Sequence, residues 1–339
     1  MTRLKVAHLV DDTTAGGVMR LLDFICTNPD MARHADHQMH VVRRGAFGLR
    51  RIPADVIVSH LSISWRNLPA LVALRATHAR QKIVHVEHSY TRQFTALNVP
   101  KVDRFMTLLR VAYALFDHVV AVSRDQANWM AQRNLVIHGT PSVIPPMVDL
   151  SRFAELADPV RPPRRIGAIG RLDRQKGFDL LIPAFRALPD RDLRLIFYGD
   201  GPERAALQEL AGQDPRIRFV GHLSDPVLAM ANVDAVAMPS RWEAYGLVAR
   251  EARAAGRPVL VAPHDGLRDQ VADGAVPVMP YTENGWTAAL SRLVAGQVSP
   301  APRPDIARHT RDFVTAWTTL LDRLTGADQA AEQPRAQVA

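Results

Sequence analysis

The feature that most limits the fold of this chain is a regular alternation of short apolar runs with helical patterns along almost its whole length. Such alternation is typical of β-α-β units, which build parallel sheets covered by helices. In the first half, strands are predicted at 5–10, 38–42, 55–60, 82–87, 118–123 and 142–146. In the second half, strands are predicted at 164–170, 193–199, 217–221, 235–240, 258–262 and 275–280.

The chain has 339 residues, a length that suits about two domains. Five prolines between residues 145 and 165 indicate the junction, and both halves open with a buried strand, a polar loop and a glycine before a helix. We therefore predict an α/β fold of two facing, doubly wound Rossmann-like domains, with the ligand in the cleft at the carboxyl ends of the strands. The predicted boundaries are 1–150 for the first domain, 151–305 for the second, 306–325 for a packing helix that returns to the first domain, and 326–339 for a disordered tail.

The composition narrows the class of protein. No apolar run approaches the roughly 18 residues of a membrane span, the start "MTRLKVAHLVDD" turns acidic too early for a signal peptide, and Cys26 is the only cysteine. We therefore expect a cytoplasmic protein without an internal disulfide. Residues 1–150 carry 18 Lys and Arg against 11 Asp and Glu, while the remainder carries 24 against 23. This asymmetry indicates an anionic partner for the first half, or only a compositional bias towards arginine.

The stretch "PSRWEAYGLVAREARAAGRPVL" (239–260) places two carboxylates around a predicted helix start. If the helix begins near Gly246, the amides of residues 245–248 have no acceptor within the helix and favour an anion. Glu251 would lean back towards that anion and Glu243 would lie on its other side, which suits a ligand that is part anion and part polyol. The alternative is a capping pair at an ordinary helix start, with a solvated Glu251.

The stretch "GRLDRQKGFDLLIPAF" (170–185) places Arg171 and Lys176 in a loop between a strand and a helix. Two cations there could offset charge on a diphosphate leaving group, because opposite charges about 4 Å apart attract by a few kcal/mol at an effective dielectric of roughly 20. The alternative is a solvated loop with ordinary charges. Taken with the helix start, the two cations favour a binding site.

These motifs resemble those of a known family. The second half contains "GRLDRQKGFD", "FYGDGPE", "VGHLSD" and "PSRWEAYGLVAREARAAGRPVL", and the first half contains "AGGVMR", "VVAVSRD" and "VIPPMVDLSRF". In this order and combination the chain is similar, over most of residues 5–290, to the retaining GT-B glycosyltransferases of family 4, the glycosyl transferases group 1. The resemblance implies the GT-B fold and transfer of a sugar from a UDP- or GDP-linked donor to a saccharide or lipid-linked acceptor, in the synthesis of cell-surface polysaccharide or lipopolysaccharide.

The resemblance also implies roles for individual residues. Glu243 would contact the donor sugar, Glu251 would bind the ribose, and Arg171 and Lys176 would hold the diphosphate. His88, in "HVEHS", would lie near the sugar, and a satisfied histidine at a strand end is the alternative. The remaining implied donor contacts are the phosphate-closing loop of Gly16 and Gly17, the turn of Gly199 and Gly201, the base-framing His222 and Leu223, and the helix start of Ala244, Tyr245, Gly246 and Leu247.

The implied mechanism retains the anomeric configuration. No separate nucleophile is evident in the sequence, and the family-level hypothesis is that a donor phosphate oxygen accepts the proton of the acceptor. No cofactor and no metal are expected. The chain departs from the family pattern where Pro146-Met147 replaces Asn-Gly and where Ala244 replaces a glycine, and "HDGLRDQV" (264–271) is a loose match to the family's loop near the sugar. The identity of the donor sugar therefore stays open.

The stretch "KVDRFMTLLRVAYALF" (101–116) is both basic and amphipathic. A helix of this kind can lie on an anionic membrane surface, here the inner face of the cytoplasmic membrane, or can dock on a sheet like an ordinary helix. Four arginines add positive charge to the same half, namely Arg43, Arg44, Arg50 and Arg51.

Other functions are less well matched by these motifs. Zinc binding by His34, His37 and His40, or by His85 and His88, lacks further ligands, and we therefore expect scattered surface histidines. A nucleotide-sugar epimerase on the same fold and a non-enzymatic protein that binds an anionic ligand both stay open. Nucleic acid is not an expected partner, because aromatic side chains are only 6% of the chain and have no stacking pattern.

Overall fold

The computed structural model describes residues 3–14, 16–44 and 51–326. The chain folds as two compact units. The first unit comprises Met1–His88, Val99–Val148 and Ala307–Ala339, and the second comprises Ser89–Asn98 and Asp149–Ile306. Arg50, one of the four arginines expected to add positive charge, lies outside the described residues, as does the predicted tail after Gly326.

Each unit is built on one six-stranded sheet in which all paired strands are parallel. The first sheet has the order β2-β1-β3-β4-β5-β6 and the second has the order β12-β11-β10-β7-β8-β9. The strands of the first sheet are β1 (Leu4–Val10), β2 (Ala35–Val41), β3 (Val56–Ser59), β4 (Lys82–Glu87), β5 (His118–Ala121) and β6 (Ser142–Val143). Those of the second are β7 (Arg165–Ile169), β8 (Arg194–Tyr198), β9 (Ile217–Gly221), β10 (Ala235–Met238), β11 (Val259–Val261) and β12 (Val276–Pro277).

Helices connect the strands along the chain. Those up to the junction are α1 (Gly17–Thr27), α2 (Pro29–His34), α3 (Leu68–Thr77), α4 (Arg92–Asn98), α5 (Val102–Tyr113) and α6 (Arg124–Gln132). Those after it are α7 (Ser151–Ala154), α8 (Phe178–Arg186), α9 (Arg204–Ala211), α10 (Pro226–Ala231), α11 (Leu247–Ala254), α12 (Leu267–Ala272), α13 (Glu283–Val294) and α14 (Ile306–Thr325). Within residues 3–14, 16–44 and 51–326, every helix is too short or too polar to span a bilayer.

The central strands are buried on both faces, as expected for sheets covered by helices on each side. All four residues of β3 and all four of β10 are buried. In the second unit, α8 and α13 contribute Phe178, Phe185 and Trp286 to the core, each at most 2% exposed. Burial of each such side chain stabilises the fold by about 1.5–3 kcal/mol.

All twelve strand predictions are confirmed, and eight of these strands are shorter than predicted, the sixth and the twelfth by the most residues. The sixth ends at Val143, since the following Pro145 and Pro146 have no amide hydrogen to donate to a ladder. The twelfth has only two residues, Val276 and Pro277, and the second of these also lacks a donor. The α/β prediction of two doubly wound domains is therefore confirmed by the sheet topology.

Helix α14 packs its apolar stripe within the first unit. The ring of Phe313 meets the ring of Phe24 on α1 edge to face, with centroids 5.7 Å apart. The indole of Trp317 meets the imidazole of His8 on β1 in the same way, at 6.1 Å. These contacts explain why a helix at the far end of the sequence is part of the first unit.

One short segment from the first half, Ser89–Asn98, is part of the second unit, whereas the sequence places it in the first domain. Its anchor is Asp265, which is 2% exposed and has a positive φ of 46°. The hydroxyl of Thr91 donates to Asp265 Oδ2 at 2.6 Å, and the amide of Gln93 donates to Oδ1 at 3.1 Å. Part of the "HDGLRDQV" loop thus has a structural role, because its buried carboxylate is satisfied by this segment.

Candidate functional site

Most of the predicted site residues lie in loops that follow four adjacent strands of the second sheet. The order β10-β7-β8-β9 places the carboxyl ends of these strands side by side. The direction in which the strands are connected reverses between β7 and β10, and ligands of doubly wound sheets bind at such a switch point. The loop after β7 carries Arg171 and Lys176, and the loop after β10 carries Glu243 and Gly246.

An ion pair joins the two switch-point loops. Nζ of Lys176 lies 2.6 Å from Oε2 of Glu243, and the two side chains are 17% and 14% exposed. The aliphatic part of Lys176 passes over Gly170, where an added Cβ would lie 3.3 Å from Cε. The ammonium is thus held in place, and an ammonium has three N–H donors, so that it can contact Glu243 and a second anion together.

Further contacts hold the β10 loop against the β7 loop and the start of α8. Arg241 donates to both oxygens of Asp179, at 2.7 and 2.6 Å, and these bonds hold the pKa of the Asp179 carboxyl below its usual range. Gln175 Nε2 donates to the carbonyl of Trp242 at 3.1 Å. The two residues before Glu243, Arg241 and Trp242, are therefore held by hydrogen bonds to residues that follow β7.

Arg171 is the more accessible of the two predicted cations. Its side chain is 69% exposed, and its Nε lies 3.6 Å from Oδ2 of Asp173. An exposed pair at that distance contributes little to stability. The guanidinium can therefore turn towards an anion at small cost to the fold.

Helix α11 begins directly after Gly246, as predicted. Gly246 has a φ of 91°, a left-handed conformation that favours glycine, and an added Cβ would also lie 2.5 Å from Cδ2 at the end of the Leu267 side chain. In the part of the chain that the structure describes, no protein acceptor bonds the amides of Tyr245, Gly246, Leu247 or Val248. The helix start thus presents the donors on which the anion prediction depends, and the contact with a ligand stays a prediction.

Glu251 lies in α11 and is 1% exposed. The alternative of a solvated helical glutamate is therefore wrong. The neighbouring Arg250 donates to the hydroxyl of Tyr245 at 3.0 Å, which fixes the side chain of a residue at the helix start. The ribose contact of Glu251 stays a prediction.

The glycine pair after β8 has a clear structural reason. An added Cβ at Gly199, whose φ is 146°, would lie 1.9 Å from the carbonyl oxygen of Gly170, and one at Gly201 would lie 2.3 Å from that of Leu172. The amide of Leu172 also donates to the carbonyl of Asp200 at 3.0 Å. The β7 and β8 loops therefore pack backbone on backbone, and this packing accounts for both glycines whether or not they touch a nucleotide.

The other predicted donor residues of the second unit lie nearby. His222 and Leu223 follow the edge strand β9; the former is exposed and the latter is half-buried. Ala244 is 9% exposed, and an added Cβ at Gly266 would lie 2.1 Å from its carbonyl oxygen. The close approach of the two backbones at this point thus requires a glycine at position 266. The structure accommodates alanine at position 244, where the family has a glycine.

The predicted residues of the first unit follow β1 and β4. Gly16 is the N-cap of α1 with an extended backbone, which any residue adopts, and an added Cβ would meet only Thr14 O, at 3.7 Å, among the described residues. Gly17 is the first residue of the helix. Nothing in the fold of the described residues demands a glycine at position 16. His88 directly follows β4 and is half-buried.

His88 ends a row of four imidazoles that crosses the first sheet, here called the histidine chain: His37, His8, His60 and His88. His37 Nδ1 lies 3.0 Å from His8 Nε2, His8 Nδ1 lies 3.0 Å from His60 Nε2, and His60 Nδ1 lies 2.8 Å from His88 Nε2. The four residues are on or directly after β2, β1, β3 and β4, which are consecutive in the sheet. The strand order therefore sets the order of the chain.

The prediction of scattered surface histidines is wrong for His37 and His85, which are buried, whereas His34 is exposed. His8, His37, His60 and His85 are each at most 8% exposed. Burial lowers the pKa of His37 and of His88 to about 4, and burial together with the neighbouring imidazoles holds the pKa of His8 and of His60 well below the usual value. All four rings of the chain are thus neutral near pH 7. The sequence signal that could have indicated burial is the position of His8 inside the apolar run "VAHLV".

The basic helix α5 docks on the first unit. Its apolar residues Met106, Leu109 and Ala112 are buried, as are Leu108 and Tyr113. Arg110 donates to the carbonyls of Asn134 and Arg133 at 3.2 and 2.9 Å. The structure thus shows the docked alternative for the apolar face of this helix.

Among the other cations of this half, Arg44 is paired with Asp11 at 3.1 Å and with Asp12 at 3.4 Å, while Arg43 and Arg51 are exposed. Within the described residues, no group of three or more His, Cys, Asp or Glu side chains is arranged to hold a metal ion. His34, His37 and His40 therefore do not converge on one point.

Comparison with known proteins identifies relatives for both halves. A family profile described as Glycosyl transferases group 1 matches residues 163–296, and one described as Glycosyltransferase Family 4 matches residues 17–152. The 2-deoxystreptamine glucosyltransferase of Streptomyces kanamyceticus is 31% identical over 285 residues, which are 76% of this chain and 71% of that protein. The D-inositol 3-phosphate glycosyltransferase of Corynebacterium glutamicum is 35% identical over 169 residues, 45% of this chain and 40% of that protein.

Solved structures share the fold. HepE of Anabaena, crystallised in complex with UDP-glucose, superposes with a TM-score of 0.69 at 19% identity, over 94% of this chain and 100% of that one. This likeness supports the GT-B architecture that the motifs imply. The chain spans between 40% and 64% of the length of seven D-inositol 3-phosphate glycosyltransferases to which it is similar.

Proposed function

Because the chain belongs to glycosyltransferase family 4, we propose that it transfers a glycosyl group from a nucleoside diphosphate sugar to a hydroxyl group of an acceptor, with retention of the anomeric configuration. The observation that carries the proposal is the group of donors at the switch point of the second sheet. The Lys176 ammonium lies beside the Glu243 carboxylate at 2.6 Å, and the amides at the start of α11 have no protein acceptor among the described residues.

This arrangement suits a ligand with a diphosphate and a polyol. The ammonium of Lys176, the guanidinium of Arg171 and the amides of α11 would stabilise the negative charge that grows on the diphosphate as the bond to the sugar breaks. The carboxylate of Glu243 would accept a hydrogen bond from a sugar hydroxyl. Loss of one such stabilising contact costs about 3 kcal/mol of transition-state stabilisation.

In the proposed reaction, the bond between the anomeric carbon and the diphosphate oxygen breaks as the acceptor oxygen attacks from the same face. The proton of the acceptor hydroxyl passes to the departing phosphate oxygen, so that no protein nucleophile is needed. The protein contributes positioning and charge stabilisation. We propose that neither a cofactor nor a metal ion takes part. We expect activity to persist in excess EDTA, and its loss there would contradict this proposal.

We propose UDP as the first nucleotide to test, with GDP as the second. UDP-glucose is bound in the solved HepE structure, which shares the fold. Glu251, which is 1% exposed, would accept hydrogen bonds from the ribose hydroxyls. Gly16 and Gly17 would approach the phosphates, and His222 with Leu223 would border the base.

For the acceptor, we propose a saccharide or a lipid-linked saccharide of the cell surface, polysaccharide or lipopolysaccharide, glycosylated at the inner face of the cytoplasmic membrane. Exposed cations of the first unit, such as Lys101 directly before α5, would contact anionic headgroups. The apolar face of α5 is buried, so that such contact would be electrostatic and sensitive to salt. Flotation with anionic liposomes at low and high salt tests this; equal recovery with neutral liposomes would contradict it.

The proposed reaction is tested by incubating the protein with UDP-, GDP- and ADP-linked sugars and a panel of polyol, saccharide and lipid-linked acceptors. We expect release of nucleoside diphosphate that depends on an acceptor, and a product whose anomeric configuration, read by NMR, equals that of the donor. Inversion would contradict the retaining mechanism. Altered sugar formed without any acceptor would instead indicate the epimerase.

A further inference from the structure

The histidine chain buries polar side chains that are not needed for the packing of the sheet. Three of its four rings, His37, His8 and His60, are at most 8% exposed, and hydrophobic residues of the same size would fill that space without polar atoms. The chain leads from the sheet edge at β2 to His88 at the carboxyl end of β4. A connected row of this kind can transmit a constraint from one ring to the next.

The contacts of the histidine chain limit where each ring can carry its proton. Each contact between two ring nitrogens needs one proton, and each neutral imidazole supplies one. If His8 carries its proton on Nδ1, His60 and then His88 must do the same, and His37 must donate from Nδ1 to His8. If His8 carries it on Nε2, all four rings carry it on Nε2. The neutral chain therefore has only two proton arrangements.

The far end of the chain decides between these two arrangements. His37 Nε2 is buried and has no hydrogen-bond partner in the described part of the protein. In the first arrangement this atom is an acceptor without a donor, and in the second it is an N–H without an acceptor. Orphaned buried N–H groups are the rarer of the two in proteins. The Nδ1–H arrangement places its terminal N–H on His88, which is half-buried and has access to solvent, and it is therefore favoured for all four rings.

We propose that His60, His8 and His37 are positioning residues that fix the ring of His88 and hold it in the Nδ1–H tautomer, so that it presents an N–H donor to an oxygen of the sugar ligand. The proposal rests on the proposed function for the identity of that ligand, and the tautomer itself is independent of it. Among the described residues, His88 Nδ1 has no hydrogen-bond partner. A free imidazole of histidine favours Nε2–H, so that the chain would reverse the ordinary preference.

The tautomers are read without any substrate. Long-range ¹H–¹⁵N correlation spectra of the labelled protein near pH 7.5 distinguish protonated from bare ring nitrogens, and His88→Ala identifies the signals of His88. We expect protonated Nδ1 and bare Nε2 at His88, and a change towards Nε2–H in His60→Leu. Protonated Nε2 at His88 in the unaltered protein would overturn the proposal, and this result needs no variant to fold.

Kinetics test whether His60 acts through His88. We expect kcat/KM to fall about 10-fold or more in His60→Leu, because a small misplacement of a contacting group is costly. His60→Asn can still donate a hydrogen bond from near the position of Nδ1, and we expect it to restore part of the lost kcat/KM. The double variant with His88→Ala should be no slower than His88→Ala alone. Independent, multiplying losses would overturn the positioning role. If no sugar is transferred at all, the proposed function fails while the tautomer result stands.

Discussion

The ammonium nitrogen of Lys176 lies 2.6 Å from Oε2 of Glu243, so that one ion pair joins the loops after β7 and β10. The pair stands at the switch point of the second sheet, where doubly wound folds bind ligands. Each group holds the other in place before any ligand arrives. We propose that the pair is a preorganised contact for a ligand that carries both hydroxyl groups and negative charge.

Glu243→Gln should separate sugar binding from nucleotide binding. The amide keeps the shape and removes the charge, and a hydrogen bond to a charged acceptor contributes about 1.5–3 kcal/mol. We expect kcat/KM for the donor to fall about 10- to 100-fold, while the Kd of the free nucleoside diphosphate changes little. Steady-state kinetics and calorimetry measure the two effects. An unchanged kcat/KM would remove Glu243 from the site.

Glu251→Gln should show the opposite pattern. If Glu251 binds the ribose, the variant weakens binding of the free nucleoside diphosphate by about 10-fold or more, since a charge-assisted hydrogen bond is lost. The 2′,3′-dideoxy nucleotide should bind both proteins equally, because it has no hydroxyl to donate. Glu209→Gln on the exposed side of α9 is the matched control. Equal weakening for both nucleotides would mean that Glu251 acts on the fold instead.

Gly199→Ala should affect the stability of the fold, whereas Gly16→Ala should affect the binding of the phosphates. Gly199→Ala brings a Cβ within 1.9 Å of the backbone oxygen of Gly170 at a φ of 146°, and we expect a loss of several kcal/mol in the free energy of unfolding. Gly16→Ala meets only an ordinary contact of 3.7 Å among the described residues. We expect an unchanged Tm and weaker binding of the phosphates. Thermal melts with and without nucleotide distinguish the two, and unchanged binding in Gly16→Ala would contradict the phosphate role.

The histidine chain should make stability depend on pH. The folded pKa of His37 and of His88 is about 4, below the unfolded value of 6.5, so the unfolded state binds protons first as the pH falls. Their stabilising contribution is present above pH 6.5 and is lost towards pH 4. His8 and His60 act in the same direction. Each group lowers the free energy of unfolding by about 1.4 kcal/mol per pH unit in this window.

Urea denaturation between pH 7.5 and 4.5 measures this loss. His60→Leu removes one titrating ring and should give a shallower dependence than the unaltered protein. His118 and His264, whose pKa values are also lowered by burial, contribute a common background in both proteins. Parallel curves for the two proteins would contradict the lowered pKa of His60.

The sequence predicted the fold well because the signals involved are local. Apolar runs such as "KIVHVE" and "IRFVG" coincide with β4 and β9 residue by residue, and the glycine at position 246 marks the start of α11. The motifs also identified the loops that carry Lys176 and Glu243. Their mutual ion pair depends on the order of strands in the sheet, which no local pattern encodes.

The histidine chain could not be predicted for the same reason. His37, His8, His60 and His88 are far apart in the sequence and become neighbours only because β2, β1, β3 and β4 are consecutive in the first sheet. The second role of Gly199 was equally hidden, since its close approach to Gly170 depends on the packing of two loops.

The account depends most directly on Lys176 as a contact of the donor diphosphate. Isothermal titration with UDP-, GDP- and ADP-linked sugars should include Lys176→Ala and, as a matched control, Arg164→Ala, which removes an exposed ion pair before β7. We expect at least one nucleotide sugar to bind the unaltered protein and Arg164→Ala with the same Kd. Its Kd for Lys176→Ala should be about 10-fold higher or more. No heat with any donor, or equal binding by Lys176→Ala, would contradict the account.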